Sequence, residues 1–210
     1  MIVSTAFLGL GCQSAYYGTM ETFGVHKRDI LVDRVAEARD EQNEAKEQFR
    51  SALEEFSAVT NFQGGDLEAL YNRLNDAYED SNAQARAVRS RIDRVEDVAE
   101  ALFDEWRDEL DDYRDEELRR ASERQYRETK VRSEELIAAM RRAESTMYPV
   151  LDAFHDQVLF LKHNLNARAV ASLDDELADL ESDIARLIEE MEASIAQANA
   201  FIDEMQASAP

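Results

Sequence analysis

Apolar side chains recur at alternating four- and three-residue steps through most of this chain, and no other feature restricts its fold as strongly. The first track is Leu31, Val35, Ala38, Gln42, Ala45, Phe49, Ala52, Phe56, Val59. The second is Leu67, Tyr71, Leu74, Tyr78, Ser81, Ala85, Val88, Ile92, Val95, Ala99, Leu102, Trp106. The third is Leu136, Met140, Ala143, Met147, Val150, Phe154, Val158, Leu161, Leu165. The fourth is Leu173, Leu177, Leu180, Ile184, Leu187, Met191, Ser194, Ala198, Phe201, Met205. Each track is a narrow stripe on one helix, which is buried by packing against other helices.

Breaks between the tracks set the helix boundaries. Gly64 and Gly65 end one helix, and Asp66 caps the next. Short connections make neighbouring helices antiparallel. The predicted fold class is all-α, an elongated antiparallel bundle or coiled coil of four long helices, either up-down-up-down or two long hairpins. Pro149 should kink the third helix or break it locally. The expected helices span residues 27–62, 66–112, 116–164 and 167–207, and together they form a helical rod domain over 27–207.

The hairpin between the second and third helices should overhang the rest of the bundle. Antiparallel pairing from the first connection places residue 27 opposite about residue 101. The seam beyond this point is read as polar, through Ser122, Gln125, Thr129 and Arg132. A polar seam gains little from burial, so two helices should stand clear of the bundle at the end where the chain begins. The many acids of this tip favour a solvated face, with a cation or a basic partner as the alternative.

The chain has one cysteine, Cys12, which follows the apolar run IVSTAFLGLG and precedes QS. A single cysteine forms no disulfide within the chain. Small and apolar residues before a cysteine resemble the lipobox of bacterial lipoproteins, in which the cysteine is acylated and becomes the mature N-terminus. Such a box normally has Leu where Gly9 stands, and no basic residue precedes the run. We therefore expect a signal peptide over 1–11 that is truncated at its start, lipidation of Cys12 and a flexible tether over 12–26. A buried thiol is the alternative.

Long blocks of the sequence resemble one family of bacterial lipoproteins. The resemblance runs from Cys12 to about Met205 and includes CQSAYY, HKRDILVDRV, FQGGDLEALYNRLNDAYEDS, VEDVAEALFDEWRDEL and FLKHNLNARA. This family is found in Gram-negative envelopes and carries a domain-of-unknown-function label. The resemblance implies an exported, lipid-anchored, all-helical protein and implies no activity. Gln13 replaces the aspartate that retains enteric lipoproteins in the inner membrane, which favours the periplasmic face of the outer membrane.

Charge and motif content argue against several classes of function. The formal net charge of -22 repels phosphate backbones, so we expect no nucleic-acid partner. No Gly-rich phosphate loop, Ser-His-Asp set or pair of catalytic carboxylates stands out, so we do not expect an enzyme. Asp152 and His155 share a helical face, with His163 two turns further on. A di-iron site needs a second such pair, which the sequence lacks. We expect no metal and no cofactor, with a metal or small-ligand carrier near these histidines as the alternative.

Lys27 and Arg28 form the one basic cluster close to the predicted anchor. They are predicted to lie against anionic lipid head groups, each contributing up to about 1 kcal/mol. A plain helix start is the alternative, because Asp29 favours the positive end of the helix dipole.

A second candidate site is the stretch LFLKHNLNARAV, between the third and fourth helices. Lys162, His163, Asn164 and Asn166 are a possible partner-binding loop. A tight turn without function is the alternative, because Asn tolerates left-handed backbone and caps helices.

Together these features predict a rod tied to the membrane through an N-terminal lipid, acting by helix-mediated contacts. Its role would be structural, as an adaptor or in the envelope stress response, and its protein partner is unidentified or a second copy. A membrane-shaping helical dimer is a further alternative. The negative charge opposes direct adhesion to anionic lipid, so that alternative requires a basic face that the sequence does not display.

Overall fold

The computed structural model describes residues 27–60, 66–164 and 173–207. Within these ranges lie four long helices, α1 (Lys27–Thr60), α2 (Leu67–Glu109), α3 (Glu116–His163) and α4 (Asp174–Ala207). A 3-10 turn, Leu110–Asp112, follows α2, and the described ranges contain no strand. The predicted all-α class with four long helices is confirmed. The predicted signal peptide, Cys12, the tether and Asn166 lie outside the described residues.

Each helix packs against two others, so the four helices form one closed bundle. Helix α1 packs against α2 and α4, and α3 packs against the same two helices. Contacts run in opposite order along α1 and α2, because Lys27 lies beside Glu105 whereas Glu41 lies beside Gln84. The structure therefore selects the bundle over two separate hairpins. None of the described helices combines the length and the apolarity needed to cross a membrane.

The predicted seam positions form the core of the bundle. All nine positions of the first track are buried, including the polar Gln42. In the other tracks, every described position is buried except five half-buried ones, which are Leu67, Tyr71, Tyr78, Trp106 and Leu177. These five still pack against the core. The burial of stripes on all four helices is what makes the rod stable, because apolar area removed from water is the main favourable term.

A polar layer interrupts the core halfway along α1. Gln42 is fully buried, and its Oε1 accepts a hydrogen bond from Ser194 Oγ at 3.0 Å. Ser81, also buried, donates from Oγ to the carbonyl of Ala77 at 2.7 Å. The Nε2 of Gln42 has no hydrogen-bond partner among the described residues. A buried polar residue in a seam costs stability but restricts the alignment of the helices.

Helix α3 runs through Pro149 without interruption, so the predicted local break does not occur. Pro149 lies on the exposed side of the helix, whereas Met147 and Val150 beside it are buried. The ring removes one backbone donor, whose acceptor would be the carbonyl of Ser145. Ser145 is itself exposed. Water can therefore satisfy that carbonyl while the core contacts on the other side keep the helix continuous.

Both described connections into helices carry side-chain caps. Asp66 Oδ1 accepts from the backbone N–H groups of Glu68 at 3.0 Å and Ala69 at 3.2 Å, which confirms the predicted cap. Asp115 caps α3 in the same way, accepting from Glu117 at 2.8 Å and Leu118 at 3.1 Å. These carboxylates satisfy backbone donors that have no partner within the helix. The two starting points are thus fixed by local sequence.

Candidate functional site

Helices α2 and α3 continue beyond the ends of α1 and α4. The first residue of α1, Lys27, lies beside Glu105, whereas α3 already begins at Glu116. From Glu116 to Thr129, which lies at the level of the α1 start, α3 covers about 20 Å. We call residues 106–128 the two-helix tip. Within the tip, the two helices pack against each other through Trp106, Ser122 and Tyr126.

The two-helix tip is held together by aromatic contacts. Phe103 and Trp106 of α2 both meet Tyr126 of α3 edge to face, with ring centroids 5.8 Å apart in each case. Trp106 Nε1 donates a hydrogen bond to Ser122 Oγ at 2.9 Å. Lys130 Nζ lies 5.9 Å from the centroid of the Tyr126 ring. Edge-to-face aromatic pairs contribute beyond their buried area, so the hairpin has a small core of its own.

This arrangement corrects the seam predicted for the tip. Gln125 and Arg132 are exposed, and the seam passes instead through Tyr126 and Ser133. The reason is that the four-and-three spacing of the third helix, when it is counted back from Leu136, reaches Ser133 and Tyr126. Arg132 pairs on the surface with Glu204 of α4, at 2.6 Å. Of the four predicted members, Ser122 and Thr129 are half-buried as expected, whereas Gln125 and Arg132 were each one position away from the packed face.

Several acidic side chains at the tip are paired with arginines of the same helix. Arg107 lies 2.9 Å from Asp104 and 3.2 Å from Asp108, and Arg127 lies 2.6 Å from Glu123. The hydrogen bonds that Arg107 donates to Asp108 and the charge of Asp104 raise the pKa of Arg107. No cluster of His, Cys, Asp and Glu suited to a metal ion occurs in the described part of the chain. Part of the acidic charge of the tip is therefore balanced by neighbouring arginines.

Lys27 and Arg28 are engaged with the other helices at this end. Lys27 Nζ lies 2.8 Å from Glu105 Oε1, and its side chain is only 11% exposed. Arg28 Nη2 donates to the carbonyl oxygen of Met205 at 2.7 Å. A cation is favoured there, because the last carbonyls of α4 carry the negative end of its dipole. The predicted contact with lipid head groups stays a prediction, and it would have to share or break these bonds.

A cleft of about 470 Å³ lies where the two-helix tip meets the ends of α1 and α4. Its floor is formed by Leu102 and Trp106 of α2 and Thr129 of α3, and its walls include Lys27 of α1 and Met205 of α4. In the body of the bundle, α1 and α4 cover the corresponding faces of α2 and α3. The cleft exists because those two helices end before α2 and α3 do.

The charged residues around this cleft are two acids and two basic residues, and its interior is largely apolar. Glu105 and Glu109 line it from α2, one turn apart on the same face, and Arg28 lines it from α1. Leu102 and Met205 are only 8% and 6% exposed, so neighbouring residues already cover most of both side chains. Such a site suits an apolar or aromatic segment better than an anion. Sequence reasoning predicted the overhang but missed the cleft, because the cleft depends on which helix faces lie next to one another.

At the opposite end, the predicted loop residues are only partly described. Lys162 and His163 are exposed. Asn164 ends α3, with its N–H donating to the Leu161 carbonyl at 3.1 Å and its Nδ2 to the Phe160 carbonyl at 2.9 Å. Its φ of -133° is not left-handed, so the cap relies on the side chain. These bonds favour the turn reading for Asn164, and a binding role for the loop stays a prediction.

The histidines considered for a carrier site lie apart from any ligand set. His155 packs against the ring of Tyr78, with centroids 5.2 Å apart, whereas Asp152 on the same helix is exposed. His163 is exposed near the end of α3. No observation among the described residues brings these groups together around a common point.

Charged networks between helices were also missed by sequence reasoning. Arg141 of α3 donates to Glu96 at 2.6 and 2.8 Å and also pairs with Asp93 of α2. The hydrogen bonds to Glu96 raise the pKa of Arg141 further above the ordinary arginine value. Burial, reinforced by a 2.6 Å hydrogen bond to Glu144, raises the pKa of Tyr148. With 46 acids and 24 Lys and Arg in the chain, sequence alone does not single out these pairs.

The comparisons with known proteins add a family and no activity. The model of the family DUF2959, described as a protein of unknown function, matches residues 16–205. Neither a search of curated proteins nor a search of solved structures gave a match. The match covers nearly all of α1 to α4 and part of the sequence before α1. The chain therefore belongs to the DUF2959 family.

Proposed function

We propose that this protein is a lipid-anchored helical rod of the Gram-negative cell envelope, placed on the periplasmic face of the outer membrane. It acts through contacts made by its helices, in a structural, adaptor or envelope-stress role, and it catalyses no reaction. The partner is another envelope protein or a second copy of the chain.

The observation that carries the helix-mediated role is the closed bundle itself. The seams of all four helices are buried against one another, and four of the five buried polar residues in the described part of the chain, Gln42, Ser81, Ser133 and Ser194, lie in those seams. Enzyme sites normally combine a concave pocket with converging titratable groups. What this rod offers to other molecules is its outer surface and its two ends.

The proposed anchor depends on Cys12 and the apolar residues before it. Acylation of that sulfur would bury several acyl chains, each methylene adding about 0.8 kcal/mol, which makes the attachment effectively permanent. The first residue of α1 and the two-helix tip lie at the same end of the rod. An anchor joined through residues 12–26 would therefore hold that end nearest to the membrane.

The test replaces Cys12 with alanine behind a complete signal sequence in a Gram-negative host. We expect Cys12→Ala to move the protein from the membrane fraction to the soluble periplasmic fraction, and to abolish labelling with a radioactive fatty acid. Chemical cross-linking before cell lysis should give higher-mass adducts for the anchored protein and fewer for the released one, because anchoring restricts the protein to one surface.

Ser14→Ala is the matched control, because it lies two residues away and leaves the sulfur intact. This control should remain with the outer-membrane fraction on a density gradient. If Cys12→Ala still sediments with membranes, something other than lipid holds the protein there, and the anchor proposal is wrong. If cross-linking of wild-type membranes gives no higher-mass adducts, that result would instead contradict the role in helix-mediated contacts.

A further inference from the structure

Trp106 keeps part of its surface exposed where it lines the cleft at the two-helix tip. Trp106 is half-buried there, with one edge against Tyr126 and its Nε1 bonded to Ser122. Trp106 lines the cleft together with Leu102 and Met205. A tryptophan in this position adds most to stability when a further apolar group covers it.

We propose that this cleft is the docking site for the segment of the same chain that precedes α1, residues 13–26. Covalent connectivity is the first argument. Residue 26 is bonded to Lys27, and Lys27 is one wall of the cleft. Phe23 lies four residues before Lys27, so its Cα is within about 14 Å of the Lys27 Cα. A segment of this length is therefore long enough to place Phe23 in the cleft.

The composition of the segment is the second argument. Residues 13–26 read QSAYYGTMETFGVH, with one formal charge in fourteen residues, whereas 33% of the whole chain is charged. The large apolar and aromatic members are Tyr16, Tyr17, Met20, Phe23 and Val25. A solvated tether favours small and charged residues, so this composition is better suited to burial. The family match also begins at residue 16, which includes most of the segment in the family domain.

Charge distinguishes this occupant from a second copy of the protein. The two acids of the cleft are offset by Lys27 and Arg28, but the whole chain has a net charge of -22. Two such chains repel each other, whereas the nearly neutral segment does not. Intramolecular docking also benefits from an effective concentration in the millimolar range, so even a weak contact is populated. Both terms favour the segment over a second copy.

Docking changes the expected geometry at the membrane. A fully extended linker of fourteen residues would span roughly 45–50 Å. A docked segment would instead keep the anchor close to the two-helix tip and limit the angles that the rod can adopt. This consequence rests on the proposed anchor, but the docking itself does not require acylation. The test below therefore uses the full chain carrying Cys12→Ser.

Trp106 is the sole tryptophan of the chain and reports directly on the cleft. The test variant combines Tyr16→Ser, Tyr17→Ser and Phe23→Ser. We expect its tryptophan emission to shift to the red and its quenching by acrylamide to increase, because the indole is no longer covered. The matched control is Leu159→Ser with Phe160→Ser, two exposed apolar side chains at the opposite end, which should leave both readouts unchanged.

A second variant approaches the same contact from the cleft side. Thr129→Arg places a long side chain on the cleft floor, and Ser145→Arg on an exposed part of α3 is its control. Chymotrypsin cuts after aromatic residues, so cleavage after Tyr16, Tyr17 and Phe23 should be faster in Thr129→Arg than in Ser145→Arg. Circular dichroism would verify that both variants remain folded.

Two results would overturn the proposal. One is an unchanged Trp106 emission and quenching in the triple variant, which would mean that the segment does not cover the indole. The other is a red shift of the Trp106 emission when the unsubstituted chain is diluted, together with a fall of its molecular mass by half, measured by light scattering. That result would make a second copy the occupant. Neither readout depends on membrane attachment, so failure here is distinguishable from failure of the anchor proposal.

Discussion

Replacing Gln42 with methionine should stabilise the protein, although it removes a hydrogen bond from the core. Gln42 is fully buried, and its Nε2 has no hydrogen-bond partner among the described residues. A buried donor without a partner costs about 1–3 kcal/mol. Methionine has nearly the same length and shape, so it fills the space without this penalty. The substitution therefore separates the polar function of Gln42 from its volume.

The lost bond is the one from Ser194 Oγ to Gln42 Oε1, at 3.0 Å. Such a bond contributes about 0.5–1.5 kcal/mol, part of which Ser194 recovers by donating to a carbonyl one turn back in α4. We expect a net gain of about 1 kcal/mol. In a chain of this size that corresponds to a rise in melting temperature of about 2–4 °C.

The measurement is thermal and urea unfolding followed by circular dichroism at several protein concentrations. Gln42→Glu is the contrasting variant, because it keeps the shape but buries a charge. Burial raises the folded-state pKa of such a carboxyl, so its penalty should be smallest at about pH 4, below the unfolded value, and should grow as pH rises through the folded value. A fall in the melting temperature of Gln42→Met would refute the reasoning, because it would mean that the amide is fully satisfied.

Two further predictions concern the tip and the polar contacts between helices. Replacing residues 108–120 by a short Gly-Ser connection should lower the melting temperature by no more than about 4 °C, because Leu110 is the one buried side chain removed. A larger fall in melting temperature would mean that the tip supports the bundle. Tyr148→Phe should reduce the loss of stability at alkaline pH, measured as melting temperature from pH 9 to 11.5. Burial and the bond to Glu144 raise the folded-state pKa of Tyr148, so its stabilisation is present below the unfolded value of about 10 and is lost above it. An identical pH dependence in the two proteins would contradict this assignment.

The candidate site illustrates what short sequence motifs convey. Lys27 and Arg28 stand out in the sequence as a basic pair, and the structure places them against Glu105 and the end of α4. The cleft that they border has no motif, because its floor comes from α2 and α3. A sequence signal did exist in the unequal helix lengths, from which the overhang follows. The cleft itself required knowing which helix faces lie next to one another.

The sequence by itself determined the helices and the residues that they bury. The four-and-three spacing is a local property, so it identifies the buried stripe of each helix wherever the pattern is continuous, as from Leu136 to Leu161. Where the apolar pattern weakens, the frame is lost, which is why Arg132 was taken for a seam residue instead of Ser133. Capping by Asp66 was readable for the same reason, since the carboxylate and its partners are neighbours in the chain.

Only the tertiary structure decided how the stripes meet. The closed order of the helices, the Gln42–Ser194 contact, the partners of Arg141 and the cleft beside Trp106 all join residues distant in sequence. Many alignments of four similar stripes bury almost the same apolar area, because the hydrophobic effect has little directional preference. The choice among them depends on helix ends, connections and a few polar contacts. Those terms are fixed when the helices pack together.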